Sequence, residues 1–140
     1  MVRVAYEIVE HPADVGFRAY GATLEELFKN AAEAMMSLAC ALESIEERER
    51  RDVAAQGENL EALLYDWLTE ILAIADAEQL VFRRAEVTEL ECSKARGIVY
   101  GEKFDKSRHH AGTYIKAVTY HQLQVERTPD GWCAQVFLDV

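Results

Sequence analysis

His11-Pro12-Ala13-Asp14-Val15-Gly16-Phe17-Arg18-Ala19-Tyr20-Gly21-Ala22-Thr23-Leu24-Glu25-Glu26-Leu27-Phe28 is the stretch in which the hydrophobic period of the chain changes from strand to helix. Upstream of it, Val2, Val4, Tyr6 and Ile8 alternate with Arg3, Ala5 and Glu7, the pattern of a strand with one buried face. Pro12 steers His11 away from helical geometry, so the chain enters the Asp14 turn extended, and Phe17 to Tyr20 forms a second short strand pairing near the first. Thr23 followed by Glu26 is a capping box: the Thr hydroxyl accepts from a first-turn amide that has no partner inside the helix. A helix to about Leu42 follows, with Leu24, Leu27, Phe28, Ala31, Met35, Leu38 and Leu42 on one face. Strand, turn, strand and amphipathic helix within some forty residues point to an α+β domain.

The rest of the chain extends this pattern. Residues 43–52 are dense in charge and compatible with helix or strand, leading into a polar edge strand near Arg50 to Ala55. Asn59 caps a second helix, in which Leu60, Leu63, Leu64, Trp67, Leu68, Ile71, Leu72 and Ala75 recur at three and four. Leu80 to Cys92 and Ile98 to Phe104 read as two antiparallel strands with a turn at Gly97. Asp105 to Gly112 reads as a solvated polar loop carrying His109 and His110. Ile115 to Glu126 alternates as a strand, and Thr128-Pro129-Asp130-Gly131 is a turn. In the last strand Trp132, Ala134, Val136 and Leu138 face one way and Cys133, Gln135, Phe137 and Asp139 the other. The expected architecture is a single domain over residues 1–140, two amphipathic helices packed on a mixed, largely antiparallel sheet.

Composition narrows the function. Asp and Glu number 25 against 15 Lys and Arg, a net charge of −10. Such a chain repels a phosphate backbone over most of its surface, which disfavours direct RNA or DNA binding and favours basic proteins and divalent cations as partners. Cys40, Cys92 and Cys133 contain no C-x-x-C pair and read as reduced, buried thiols of a cytoplasmic protein. No apolar run reaches membrane-spanning length, and residues 1–10 lack the apolar core of a secretion signal.

Three blocks carry a resemblance: His11 to Phe28, then Ile115-Lys116-Ala117-Val118-Thr119-Tyr120-His121, then Phe137-Leu138-Asp139-Val140. In this order they resemble the archease family over nearly the whole chain. The family block usually has Thr after the histidine, where this chain has Pro12, without a hydroxyl or backbone N–H. The resemblance implies a non-catalytic cofactor of the GTP-dependent RNA-splicing ligase, the manganese enzyme that joins tRNA halves, promoting its guanylylation and multiple turnover. It also implies that Asp14, Asp139 and the carboxylate of Val140 meet around a divalent ion, with Lys116 and His11 in support. Those donors are all oxygens, a set that suits a hard cation, Ca²⁺ first, with Mg²⁺ or Mn²⁺ as alternatives. Read without the family, Asp14 is a turn residue, Asp139 a frayed end and Lys116 a solvated strand residue. Two other classes stand beside this reading: a small metal-dependent hydrolase using Asp14 with His11 as base, and a general chaperone or interaction module. Against the hydrolase, the sequence has no convincing nucleophile, phosphate-cradling glycine loop or second metal cluster.

Overall fold

The computed structural model describes residues 4–11 and 14–140, and for Glu10, His11 and Asp14 it describes the backbone alone. The expected start of the first strand at Val2 and the Pro12–Ala13 corner lie outside the described residues. In chain order the elements are β1 (Tyr6–His11), β2 (Asp14–Gly21), α1 (Leu24–Ala39), a 3-10 turn (Leu42–Ser44), β3 (Glu49–Gln56), α2 (Leu60–Glu78), β4 (Leu80–Leu90), β5 (Lys94–Lys103), β6 (Ala117–Val118), β7 (Gln124–Thr128) and β8 (Gly131–Asp139).

The fold is α+β, but the one sheet expected is two. A five-stranded sheet runs β1-β2-β8-β6 with β7 also on β8, and a three-stranded sheet runs β3-β5-β4. Every described strand pair is antiparallel. Helix α1 packs on β2 of the first sheet and on β4 of the second, while α2 packs chiefly on β3, so the helices join the sheets through one core.

Local chemistry accounts for the helix ends. Thr23 accepts from the Glu26 N–H at 3.1 Å and Asn59 accepts from the Ala62 N–H at 2.8 Å, each satisfying a first-turn donor. Helix α1 stops at Ala39, short of Leu42, with Cys40 extended. The segment after β5 arrives there and caps it: the Gly112 and Thr113 N–H groups donate to the Ala39 and Leu38 carbonyls, both at 2.8 Å. Helix α2 ends at Gln79 in left-handed geometry, φ 58° and ψ 44°.

At the core, Leu27, Phe28, Leu63, Leu64, Trp67 and Leu68 are fully buried, and burying each such aliphatic or Phe side chain contributes roughly 1.5–3 kcal/mol. The Trp67 indole N–H donates to the Phe28 carbonyl at 3.1 Å, so its polar end is not stranded. Trp67 also explains a departure from the sequence reading. Gly97 lies inside β5, not in a turn, and a Cβ there would sit 2.6 Å from the Trp67 ring and 2.1 Å from the Glu86 carbonyl oxygen. The β4–β5 turn comes earlier, closed by the Glu91 N–H on the Lys94 carbonyl at 2.8 Å.

Two further readings change. The strand expected over Ile115 to Glu126 is broken by a turn in which Gln122 takes a φ of 51°, leaving β6 and β7. Of the three thiols, Cys40 is buried, Cys133 is half-buried and Cys92, at the β4–β5 turn, is exposed. The ambiguous residues after Glu43 resolve as a 3-10 turn and then β3, an edge strand as expected.

Candidate functional site

Strand β8 is central to the five-stranded sheet, and the residues singled out in the sequence gather at its C-terminal end. On one side β2 runs antiparallel to it, with Phe17 opposite Val136, Gly16 opposite Phe137 and Val15 opposite Leu138. Asp14 and Asp139 are the next positions along these two strands. His11 is opposite Asp14 in the β1–β2 pairing. On the other side β6 sets Ala117 opposite Asp139, and the Lys116 N–H donates to the Asp139 carbonyl at 2.8 Å.

Alternation sorts the faces of this sheet. Phe17, Ala19, Ala134, Val136 and Leu138 are buried on the core side. The opposite face carries Gly16 against Phe137, where a Cβ on Gly16 would lie 2.6 Å from the Phe137 ring, so only glycine admits the ring there. Asp139 shares the face of Phe137. The end of β8 is held firmly: Thr119 donates both its N–H, at 3.1 Å, and its hydroxyl, at 3.0 Å, to the Phe137 carbonyl. His121 packs against the Phe137 ring in a tilted arrangement, 5.9 Å between centroids and 56° between planes.

The backbone positions of His11, Asp14, Asp139 and Lys116 thus fall on adjacent strands at one end of the sheet. Asp139, Val140 and Lys116 are exposed. The side chains of His11 and Asp14 lie outside the description, and so does the expected meeting of the Asp14 and Asp139 carboxylates. Among the described residues no group of three or more His, Cys, Asp or Glu side chains forms a cage for a metal ion. Of the expected oxygen donors, the described side chains include Asp139, exposed at this end of the sheet.

A second cluster was missed in the sequence. His109, read as part of a solvated loop, is 1% exposed, and Glu102 of β5 is 2% exposed. The Glu102 carboxylate accepts from the Glu46 N–H at 2.7 Å, from the Arg108 guanidinium and from His109 Nε2 at 2.9 Å. The Asp105 N–H donates to His109 Nδ1 at 2.9 Å, so the ring is the neutral Nε2–H tautomer. The Arg108 hydrogen bond, aided by the Glu46 and His109 donors and opposed by burial, holds the Glu102 carboxyl down to about 2. No periodicity links Glu102 to a histidine seven residues on across a turn, which is why sequence reasoning passed over the pair.

Comparison with known proteins is consistent across the chain. Residues 6–140 match the model of the Archease protein family. The chain is 42% identical over 139 residues to protein archease of Pyrococcus abyssi, covering 96% of this chain and 98% of that one. It is 40% identical to protein archease of Methanosarcina mazei, covering 96% and 95%. The solution structure of Methanobacterium thermoautotrophicum protein 1598 superposes with a TM-score of 0.82 at 34% identity, over 97% of this chain and 99% of that one. The fold is shared with the crystal structure of an archease, described as a possible chaperone, from Thermotoga maritima, with a TM-score of 0.65 at 22% identity over 94% of each chain. With the family model spanning β1 to β8 and relatives at this identity over nearly their full length, the chain belongs to the archease family.

Proposed function

We propose that this chain is a non-catalytic, cytoplasmic protein cofactor of the GTP-dependent RNA-splicing ligase, promoting the ligase's guanylylation and repeated turnover through a divalent cation held at the acidic end of the five-stranded sheet. Family membership supports the class of protein. The observation that carries the residue assignment is the strand register, in which Val15 faces Leu138 and Lys116 bonds to Asp139, so that Asp14 and Asp139 are next in line.

Asp14, Asp139 and the Val140 carboxylate would hold the ion, Ca²⁺ before Mg²⁺ or Mn²⁺. A bound divalent ion supplies Lewis-acid neutralisation of phosphate charge. The protein's own part is positional. Three carboxylates gathered at one sheet end repel one another, and Lys116 beside them offsets part of that repulsion. His11, opposite Asp14 in the strand register, would orient the site. A net charge of −10 suits docking onto a basic protein that itself handles RNA.

The test is ligase turnover with GTP, with and without this protein, repeated with Asp14→Ala and Asp139→Ala. The expected result is stimulation by the unsubstituted chain, its loss in both variants, and no product from the chain alone. Undiminished stimulation by both variants would remove the assignment of the acidic end. Product formed without the ligase would replace the cofactor reading with a hydrolase.

A further inference from the structure

The three-stranded sheet has β4 at one edge and β3 at the other, and the two edges are finished differently. Along β4 the register on β5 shifts twice, between Phe82 and Arg84 and between Val87 and Glu89, and the Ala85 N–H is taken by the Glu33 carboxylate of α1 at 3.1 Å. Bulges and a capped amide close an edge to further pairing. β3 pairs with β5 without a shift over all 8 of its residues. At its end the Gly57 N–H donates to the Ser93 carbonyl at 3.0 Å. By antiparallel alternation the main chain of Arg51, Val53 and Ala55 then turns toward β5, and that of Arg50, Asp52, Ala54 and Gln56 turns outward. Of these outward groups, the Gln56 N–H is taken by Asp66 of α2 at 2.9 Å and the Arg50 carbonyl by the Arg51 guanidinium at 2.8 Å. Between them, the N–H and C=O of Asp52 and Ala54 have no hydrogen-bond partner among the described residues, and both residues are exposed.

This open stretch borders a cleft of about 290 Å³, lined by Ala54 and Gln56, by Asp66 and Glu70 of α2 and by Lys94 and Arg96 of β5. Lys94 and Arg96 are already paired with Glu89, at 3.7 and 3.9 Å. Asp66 and Glu70, one helical turn apart, form no ion pair among the described residues. An occupant of this edge must therefore bring main-chain donors and acceptors for Asp52 and Ala54, and positive charge for the two α2 carboxylates. We propose that the outer edge of β3 is a strand-addition site for an extended, basic segment of a partner protein, with alternate lysine or arginine side chains reaching Asp66 and Glu70. Arg50 and Asp52 on the same edge discourage an apolar strand. A second copy would bring its own net charge of −10, and a nucleic acid would bring phosphates to the same carboxylates, so both are disfavoured. The site is on the smaller sheet and is independent of the cofactor reading, which concerns the larger one.

The experiment adds a blocked peptide of alternating lysine and valine to the full chain and follows the backbone amides by NMR, with a glutamate-valine peptide as the comparison. The lysine peptide shifts the Asp52 and Ala54 signals and at saturation slows their hydrogen exchange about tenfold, and the glutamate peptide does neither. Ala54→Pro removes an outward donor without touching the pairing to β5 and raises the dissociation constant roughly tenfold. Asp66→Asn, which keeps an acceptor for the Gln56 N–H, combined with Glu70→Gln also raises it roughly tenfold at low salt, and this pair of changes decides the matter if the proline variant does not fold. Lysine-peptide binding that leaves the Asp52 and Ala54 amides unprotected overturns the proposal in favour of diffuse attraction to an acidic surface. Equal binding of the two peptides overturns it as well. A sedimentation experiment in which the chain dimerises, and Ala54→Pro abolishes the dimer, overturns it in favour of edge pairing between copies. Ligase stimulation stands or falls separately from each of these outcomes.

Discussion

Glu102 near the end of β5 and Asp139 at the end of β8 are both strand-terminal carboxylates, and the protein treats them in opposite ways. Glu102 is 2% exposed and takes hydrogen bonds from a backbone amide, a guanidinium and an imidazole. Asp139 is exposed, and its strand is fixed through backbone carbonyls, its own accepting from Lys116 and that of Phe137 from Thr119. The contrast separates structural charge from available charge. A carboxylate whose lone pairs are filled from within the chain holds a loop in place, whereas one carried on a pinned strand and left in water is free to bind something else.

The contrast is broken most directly by Glu102→Ala. Removing that acceptor strands the buried His109 Nε2–H and the Glu46 N–H, and we expect a loss of about 3 kcal/mol in urea unfolding. Cation binding at the far sheet end should be unaffected. Acid sharpens the same point. The Glu102 carboxyl is held down at about 2 in the folded protein against an unfolded value of 4.5. Its contribution is therefore complete above pH 4.5 and is lost as pH falls through about 2, so the stability gap between the native chain and Glu102→Gln should narrow over that window. A gap that is constant with pH would mean the carboxylate is not held as described.

For the other region, Ca²⁺ at a hundredfold its dissociation constant should raise stability by about 2.7 kcal/mol, and Asp139→Asn should abolish that increment. Without the ion the same variant should differ from the native chain by no more than about 0.5 kcal/mol, as expected for an exposed side chain. Lys116→Ala is the smallest change of all in unfolding, again within about 0.5 kcal/mol, because the Lys116 backbone N–H still reaches Asp139. Its effect belongs in ligase stimulation, and a variant that stimulates fully would remove Lys116 from the functional end.

Much of this fold was legible in the sequence because it is encoded locally. The Thr23 and Asn59 caps, the α2 stripe from Leu63 to Ile71 and the β8 alternation of Ala134, Val136 and Leu138 all state their partners within a few residues. What escaped depends on distant neighbours. Gly97 resembles a turn residue until Trp67 is seen against it, and α1 looks longer until Gly112 arrives to cap it. His109 lies in a polar stretch whose sequence says solvent, and only the fold brings Glu102 and Asp105 to its two nitrogens. Two sheets were read as one, since strand order leaves no mark on hydrophobic period. The acidic end is the extreme case: nothing in spacing relates Asp14 to Asp139, and family resemblance supplied that pairing.

Because the middle strand of the larger sheet follows all of its neighbours in the chain, synthesis and assembly are out of step. A ribosome that has released residues 1–130 has already emitted β1, β2, β6 and β7, yet the strand that each side of that sheet needs, Gly131–Asp139, has not emerged. The β1–β2 pair must wait, its inner edge unpaired, until Gly131–Asp139 leaves the exit tunnel and β2 zips against β8. Nascent chains stalled before Gly131 should therefore bind chaperones through the open edge of β2.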